Sequence, residues 1–520
     1  MSIRLGLWGL CVAIVCAITG ASALADDVRP ARSEEALLAQ FLEKGQSLQL
    51  THEVREVRIA FTIAPNAVPD GVELLMNARP QGSDASGRIE AYVNRARAVV
   101  LQPRAEPFEA RFSLYSEDLH AGENELVLRL VGDAGAGWDI DADASRLRVS
   151  AAPAPGYAAL DEIELALRAD FAAPRRVYID AEAAGDDALA VASLVAQGLA
   201  LRMGEAPILV RDPSVAELSV YTQTREGARS PAIDLTGPSE IRLSAEFEGS
   251  LIAAARLFAA RSMEAHQVRF DMAAALSAPH LVRTRLGGRV SNDLEALANL
   301  GAPFGSDQGG RAAVVIAADS DEELSASLAV VSRAALASGS AWLYAWYGDT
   351  VSAAPPTHDL LVLGPQAALD PRLLANAPTE VRAAASAAAS RAPRGRRMGS
   401  TAYASPTERD AHITGVAALY EDLTGRRVAL ITAPEGADYA RAAKRLARSG
   451  LWSNLEGRAA LWDAASVTPF GPSNAPRFSI EWTSQFVRAN DEWFALGAFS
   501  LAILLLLVGR GVNPTSRRRA

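Results

Sequence analysis

Trp138-Asp139-Ile140-Asp141-Ala142-Asp143 sets an indole beside three carboxylates spaced by two. Such a run could serve two kinds of chemistry. Carboxylates at alternate positions open a calcium loop, but Ala144 stands where the sharp-turn glycine belongs and Ser150 where the bidentate glutamate belongs. No metal is therefore expected. The second chemistry is sugar recognition, in which an aromatic face stacks on pyranose C–H groups and nearby polar groups take the hydroxyls. Trp138 with Asp139 and Asp141 is one candidate, and Tyr92 with Asn94 a second. Each set also reads as a core aromatic beside a solvated strand edge.

Catalytic signatures are sparse. The histidines at 52, 120, 266, 280, 358 and 412 form neither HExxH nor a close pair, and no serine sits in a GxSxG elbow. The loops Asp180-Ala181-Glu182-Ala183-Ala184 and Ala317-Ala318-Asp319-Ser320 follow predicted strands, yet they put carboxylates where a phosphate would sit. They match neither GxGxxG nor a P-loop. No catalytic residue and no cofactor is expected. Carboxylate pairs abound in so acidic a chain, so glycosidase chemistry stays open on composition alone.

The elements that must position these residues change character twice. Residues 40–152 alternate apolar and polar in short runs, among them Val57 to Ile63, Val72 to Met76, Ile89 to Val93, Phe108 to Leu114 and Glu125 to Leu130. Turn residues separate the runs, which predicts a jelly-roll β-sandwich. Residues 153–280 turn to strand, helix, strand, with a helix over Asp186 to Met203, and predict a parallel α/β domain of flavodoxin-like type. The same programme restarts over 311–472, with strands at Ala313 to Ala317, Trp342 to Trp346, Leu360 to Leu363 and Val428 to Thr432. Residues 281–310, rich in Gly and Asn around a short helical patch, read as a linker.

The ends of the chain set the compartment. Arg4, the apolar run to Ile18 and Ala23-Leu24-Ala25 give residues 1–25 the order of a secretory signal peptide, with an uncleaved anchor as the alternative. Both cysteines, Cys11 and Cys16, fall inside it. Residues 473–492, including Trp482, read as an interfacial amphipathic segment. Residues 493–509 follow as a transmembrane helix with Trp493 and Phe494 at one interface, Leu501 and Leu505 in its apolar body, and Arg510 opening a basic tail over 510–520. Its uncharged core, Trp493 to Val508, spans roughly 24 Å at helical rise, so it continues the preceding segment to cross the ~30 Å hydrocarbon layer. The positive-inside rule puts the arginine tail in the cytoplasm and the bulk in a bacterial periplasm. Residues 26 to 508 carry 46 basic against 61 acidic side chains, a net −15 that repels nucleic acid.

Tyr92-Val93-Asn94, a strand ending in an Asn turn, together with Leu119-His120-Ala121-Gly122-Glu123-Asn124-Glu125-Leu126, resembles the pattern of carbohydrate-binding jelly rolls. The domain order, and stretches such as His358 to Gly364, Arg427 to Thr432 and Leu455 to Trp462, make the chain similar to the periplasmic B subunit of bacterial cellulose synthase. That family alternates two jelly rolls with two flavodoxin-like domains. Residues 281–310 leave no room for the second roll, so the resemblance implies a shortened relative. It also implies a non-catalytic, single-pass accessory subunit of a cellulose-like exopolysaccharide synthase. Its C-terminal helix would pack on a membrane-embedded family 2 glycosyltransferase, its periplasmic domains would guide the polysaccharide chain, and a homo-oligomer would be in keeping. The rival expectations are a membrane-tethered polysaccharide hydrolase or deacetylase and a generic envelope adaptor.

Overall fold

A computed structural model describes residues 32–470, apart from 43–47, 82–86, 102–106, 115–117, 133–136, 154–155, 228–230, 261–262, 264–268, 272–292, 392–412 and 449. The signal peptide, the interfacial segment, the transmembrane helix and the basic tail expected from the sequence lie outside the described residues. So do the anchor residues Trp482, Trp493, Phe494, Leu501, Leu505 and Arg510. The chain forms two compact units that divide between Ala278 and Pro279.

The first unit begins with ten strands: β1 (Arg32–Leu37), β2 (Leu48–Leu50), β3 (Glu56–Ile63), β4 (Ala67–Pro80), β5 (Arg88–Val93), β6 (Ala96–Leu101), β7 (Phe108–Leu114), β8 (Gly122–Val131), β9 (Trp138–Ile140) and β10 (Arg146–Pro153). They make two antiparallel sheets. One runs β1-β10-β4-β9-β2 with β7 added on β4; the other runs β3-β8-β5-β6. Period-two alternation sends Ile59, Phe61 and Ile63 of β3 and Val72, Leu74 and Met76 of β4 inward, where all are 2% exposed or less. This is the β-sandwich that the alternating runs predict.

Beyond α1 (Leu160–Leu167) the unit continues as β11 (Arg176–Asp180), α2 (Ala188–Met203), β12 (Ile208–Leu209), β13 (Leu218–Thr224), β14 (Ala232–Gly237), β15 (Glu240–Ala245), α3 (Glu248–Ala260) and β16 (Arg269–Asp271). The sheet order is β12-β11-β13-β15-β14-β16. The first four strands are parallel, as expected, but β14 enters antiparallel between β15 and β16. A hairpin needs only a two-residue turn where a parallel neighbour needs a crossover, and Pro238-Ser239 supplies that turn. The helical stretch Glu182–Met203 is the one among the described residues long and apolar enough to cross a membrane, and 67% of its most apolar window is buried in the fold. It is a core helix.

A seam joins the sandwich to this sheet within the first unit. Phe171 is 1% exposed and meets Phe61 edge-on at 5.8 Å and Phe41 in a stack at 6.0 Å. Its amide and carbonyl bond to Thr62 O and Ala64 N, extending β3 by one bridge. Glu217, 6% exposed, takes the amide of Arg175 at 2.7 Å and the guanidiniums of Arg176 and Arg32, the last from β1.

The second unit comprises α4 (Leu294–Leu300), β17 (Ala312–Ile316), α5 (Asp321–Ser338), β18 (Trp346–Gly348), β19 (Asp359–Leu363), α6 (Pro371–Ala375), α7 (Thr379–Arg391), β20 (Gly415–Glu421), β21 (Arg427–Thr432), α8 (Gly436–Arg448), β22 (Ala459–Trp462) and β23 (Val467–Phe470). Its sheet runs β18-β17-β19-β21-β20-β22-β23, parallel through β21 and antiparallel from there on. Val381, Ala384 and Ala388 of α7 pack with alternate strand residues such as Val315, Val362, Val416 and Leu430.

Two expectations need correction here. Of the linker expected over 281–310, residues 281–292 lie outside the described residues, and 293–310 are packed into the second unit: Asp293 caps α4 through Ala296 N at 3.0 Å, Leu294 and Leu297 are fully buried, and Trp452 donates its indole N–H to Ala298 O at 3.0 Å. The strand expected at Trp342 to Trp346 begins only at Trp346, because Trp342 is buried against Phe304 and bonded to Ser338 at 3.1 Å.

Candidate functional site

The outer face of the larger sandwich sheet carries a polar row. Strand register sets Asp139 opposite Arg79, and Asn77 opposite Glu109 on the other side of β4. Asp141 joins the row because its amide bonds to Asn77 O at 3.0 Å. Directly opposed residues share a face, so Asn77, Arg79, Glu109, Asp139 and Asp141 point the same way. With Pro107, Ala78 and the rim of Phe108 they line an open cleft of about 480 Å³.

Hydrogen bonds hold this face in place. Asn77 donates its backbone N–H to Ser145 Oγ at 2.9 Å and its side-chain N–H to Ala144 O at 2.9 Å. Asp141 Oδ1 accepts the amides of Asp143 and Ala144, both at 3.0 Å, so the carboxylate run closes as an Asx turn. Among the described residues no three His, Cys, Asp or Glu side chains converge on a point that could hold a metal.

The same alternation removes Trp138 from the site. It is 1% exposed, donates its indole N–H to Gly87 O at 3.0 Å and takes Phe108 edge-on at 5.5 Å. With a period of two, Trp138 and Ile140 face the core while Asp139 and Asp141 face water, so the indole and the carboxylates cannot meet one sugar. The stacking role expected of Trp138 is thereby corrected.

Tyr92 and Asn94 are also otherwise engaged. Tyr92 donates its hydroxyl to Glu90 Oε2 at 2.6 Å, and Arg129 lies over its ring at 4.8 Å. The carboxyl of Glu90 is held below its usual range, chiefly by the Tyr92 hydrogen bond, despite desolvation by burial. Asn94 and Arg95, with φ of 46° and 82°, form the tight turn between β5 and β6. Asn94 Oδ1 accepts Glu125 N at 2.8 Å, and its Nδ2 donates to Asp118 O at 2.7 Å and to Asn124 Oδ1 at 2.8 Å. Asn124, 3% exposed, donates in turn to His120 O and Gly122 O. Asn94 and Asn124, from the stretches that carried the resemblance to carbohydrate-binding jelly rolls, thus hold a turn together with their side chains.

The row recruits Asn77, Arg79 and Glu109, which the sequence does not single out. Their only signal is alternation within their own strands; cross-strand register brings them to Asp139.

No family model matches the sequence, and no curated protein matches it either. Distant likenesses to solved structures exist. Dimeric latent PorU from Porphyromonas gingivalis aligns with 26% of this chain at 12% identity and TM-score 0.20, and the match spans 14% of PorU. The CBM36-1 domain of a multidomain xylanase from the hindgut metagenome of Trinervitermes trinervoides aligns with 23% at 10% identity and TM-score 0.17, over 96% of that domain. A family 35 carbohydrate binding module from Clostridium thermocellum aligns with 22% at 10% identity and TM-score 0.15, over 90% of its length.

Proposed function

We propose that the protein is a non-catalytic, membrane-anchored accessory subunit of a cellulose-like exopolysaccharide synthase, and that its sandwich touches the polymer. The carrying observation is the outward row Asn77, Arg79, Glu109, Asp139 and Asp141 along an open cleft. Acceptors and donors at strand spacing, on a rigid sheet, suit the hydroxyls of an extended glycan. The order of parallel strands at the start of each α/β sheet, second, first, third, supports the flavodoxin-like reading of those domains. The arginine-terminated apolar stretch over 493–509 supports the anchor and its orientation.

The test has two arms. The full chain, extracted in mild detergent, should bring with it a multi-span family 2 glycosyltransferase. It should also be retarded in native gels containing a soluble neutral glucan, and a variant with Asp139→Asn and Asp141→Asn should be retarded less. Recovery of no glycosyltransferase would remove the complex, and retardation unchanged by the double variant would remove the sandwich site.

A further inference from the structure

A second opening lies on the first α/β sheet. Thr224 ends β13 and pairs with Ala245 at the end of parallel β15, and Arg225 N bonds to Ala245 O at 2.7 Å. Two residues on, Phe247 accepts Ser250 N at its carbonyl and so fixes the start of α3. Among the described residues its side chain stands 65% exposed, on the wall of a cleft of about 600 Å³. Glu226, Gly227, Glu246, Glu248 and Gly249 line the remainder. The carboxyl edge of a parallel sheet is where α/β folds place ligands.

We propose that this cleft is a second contact for a neutral hexose chain, with Phe247 as the stacking face and Glu226 and Glu246 as hydroxyl acceptors. The inference rests on the reading that the protein handles a glycan, but on none of the sandwich residues. An aromatic ring left in water at a cleft wall fits a ligand with an apolar face, and a pyranose ring has one alongside its hydroxyls. The carboxylates repel phosphates and uronates. They do not converge as metal ligands, which disfavours a bound cation. Glu248 is turned toward Gly185, whose φ of 54° and missing Cβ leave room for its carboxylate, so it shapes the wall instead of reaching the sugar.

The probe is a soluble neutral glucan in native affinity electrophoresis of the full detergent-extracted chain. Phe247→Ala should weaken retention three- to tenfold, the worth of one aromatic contact, with an unchanged melting midpoint because the ring is exposed. Phe247→Trp should keep or strengthen retention, which a merely structural position would not do. The sandwich variant Asp139→Asn with Asp141→Asn, combined with Phe247→Ala, should show additive losses. Unchanged retention in Phe247→Ala, or equal loss in Phe247→Trp, overturns the second contact alone. Loss confined to Phe247→Ala keeps it and removes the sandwich site. A wild-type chain that no neutral glucan retards overturns both.

Discussion

Glu164 offers the sharpest test of how the first unit is held together. It is 1% exposed on α1, accepts Arg202 Nε of α2 at 2.8 Å and Met263 N beyond α3 at 2.9 Å, and takes the Arg168 guanidinium one turn on. Arg202 is 6% exposed, and burial lowers its affinity for its proton. It also covers the Phe258 ring at 4.8 Å and donates to Gly198 O at 2.8 Å. Glu164→Ala strands that guanidinium in the core and orphans the Met263 amide, costing about 4 kcal/mol. For a unit of this size that is a drop of ~8–16 °C in melting midpoint, measurable by calorimetry on the intact chain. Removing both charges together, with Glu164→Leu and Arg202→Met, should restore much of the loss, because the penalty belongs to the unpaired charge. A midpoint within about 2 °C of wild type for Glu164→Ala would refute the reasoning, since that is the scale expected of an exposed pair.

Three further outcomes are expected. Burial pushes the Glu217 carboxyl up, but the Arg175 and Arg176 amides and the Arg32 guanidinium outweigh it and hold it low. Its contribution is full above the ordinary carboxylate value of about 4.3 and is lost as pH falls through the lowered folded value, so the melting midpoint should drop on acidification below about pH 4; Glu217→Gln should flatten that slope. Gly301→Ala should destabilise the second unit by about 2–4 kcal/mol in urea titration, because its φ is +59° and a Cβ would lie 2.7 Å from Ala334 O. Asn124→Ala removes four hydrogen bonds of the turn clamp; it should cost about 2–4 kcal/mol of stability and leave glucan retention untouched in gels run well below the new midpoint.

Much of the fold is legible in the residue pattern, and the losses have a common cause. Phe108–Leu114, Val57 to Ile63 and Ile89 to Val93 emerge as strands within a residue or so, because alternation is a local signal. Strand β1 does not: Arg-Ser-Glu-Glu-Ala-Leu has little apolar alternation and is held by β10 and by its arginine and glutamate partners. The antiparallel additions β14, β20, β22 and β23 were hidden too, since short apolar runs give no direction. At the candidate site, Asp139 and Asp141 could be picked from type and spacing. Alternation over Trp138 to Asp141 already separates the indole from them. Arg79 and Glu109, by contrast, arrive through pairings across some 30 to 60 residues, which no local pattern encodes.

The aromatic and ionic seam around Phe171 and Glu217 has a mechanical corollary. If the sandwich grips a polymer, as proposed, the pull would pass into the neighbouring α/β sheet through the Phe171 and Glu217 contacts, in shear along β3 and β1. On that proposal, Phe171→Ala, which removes both ring contacts, should loosen the coupling between the two sheets of the first unit.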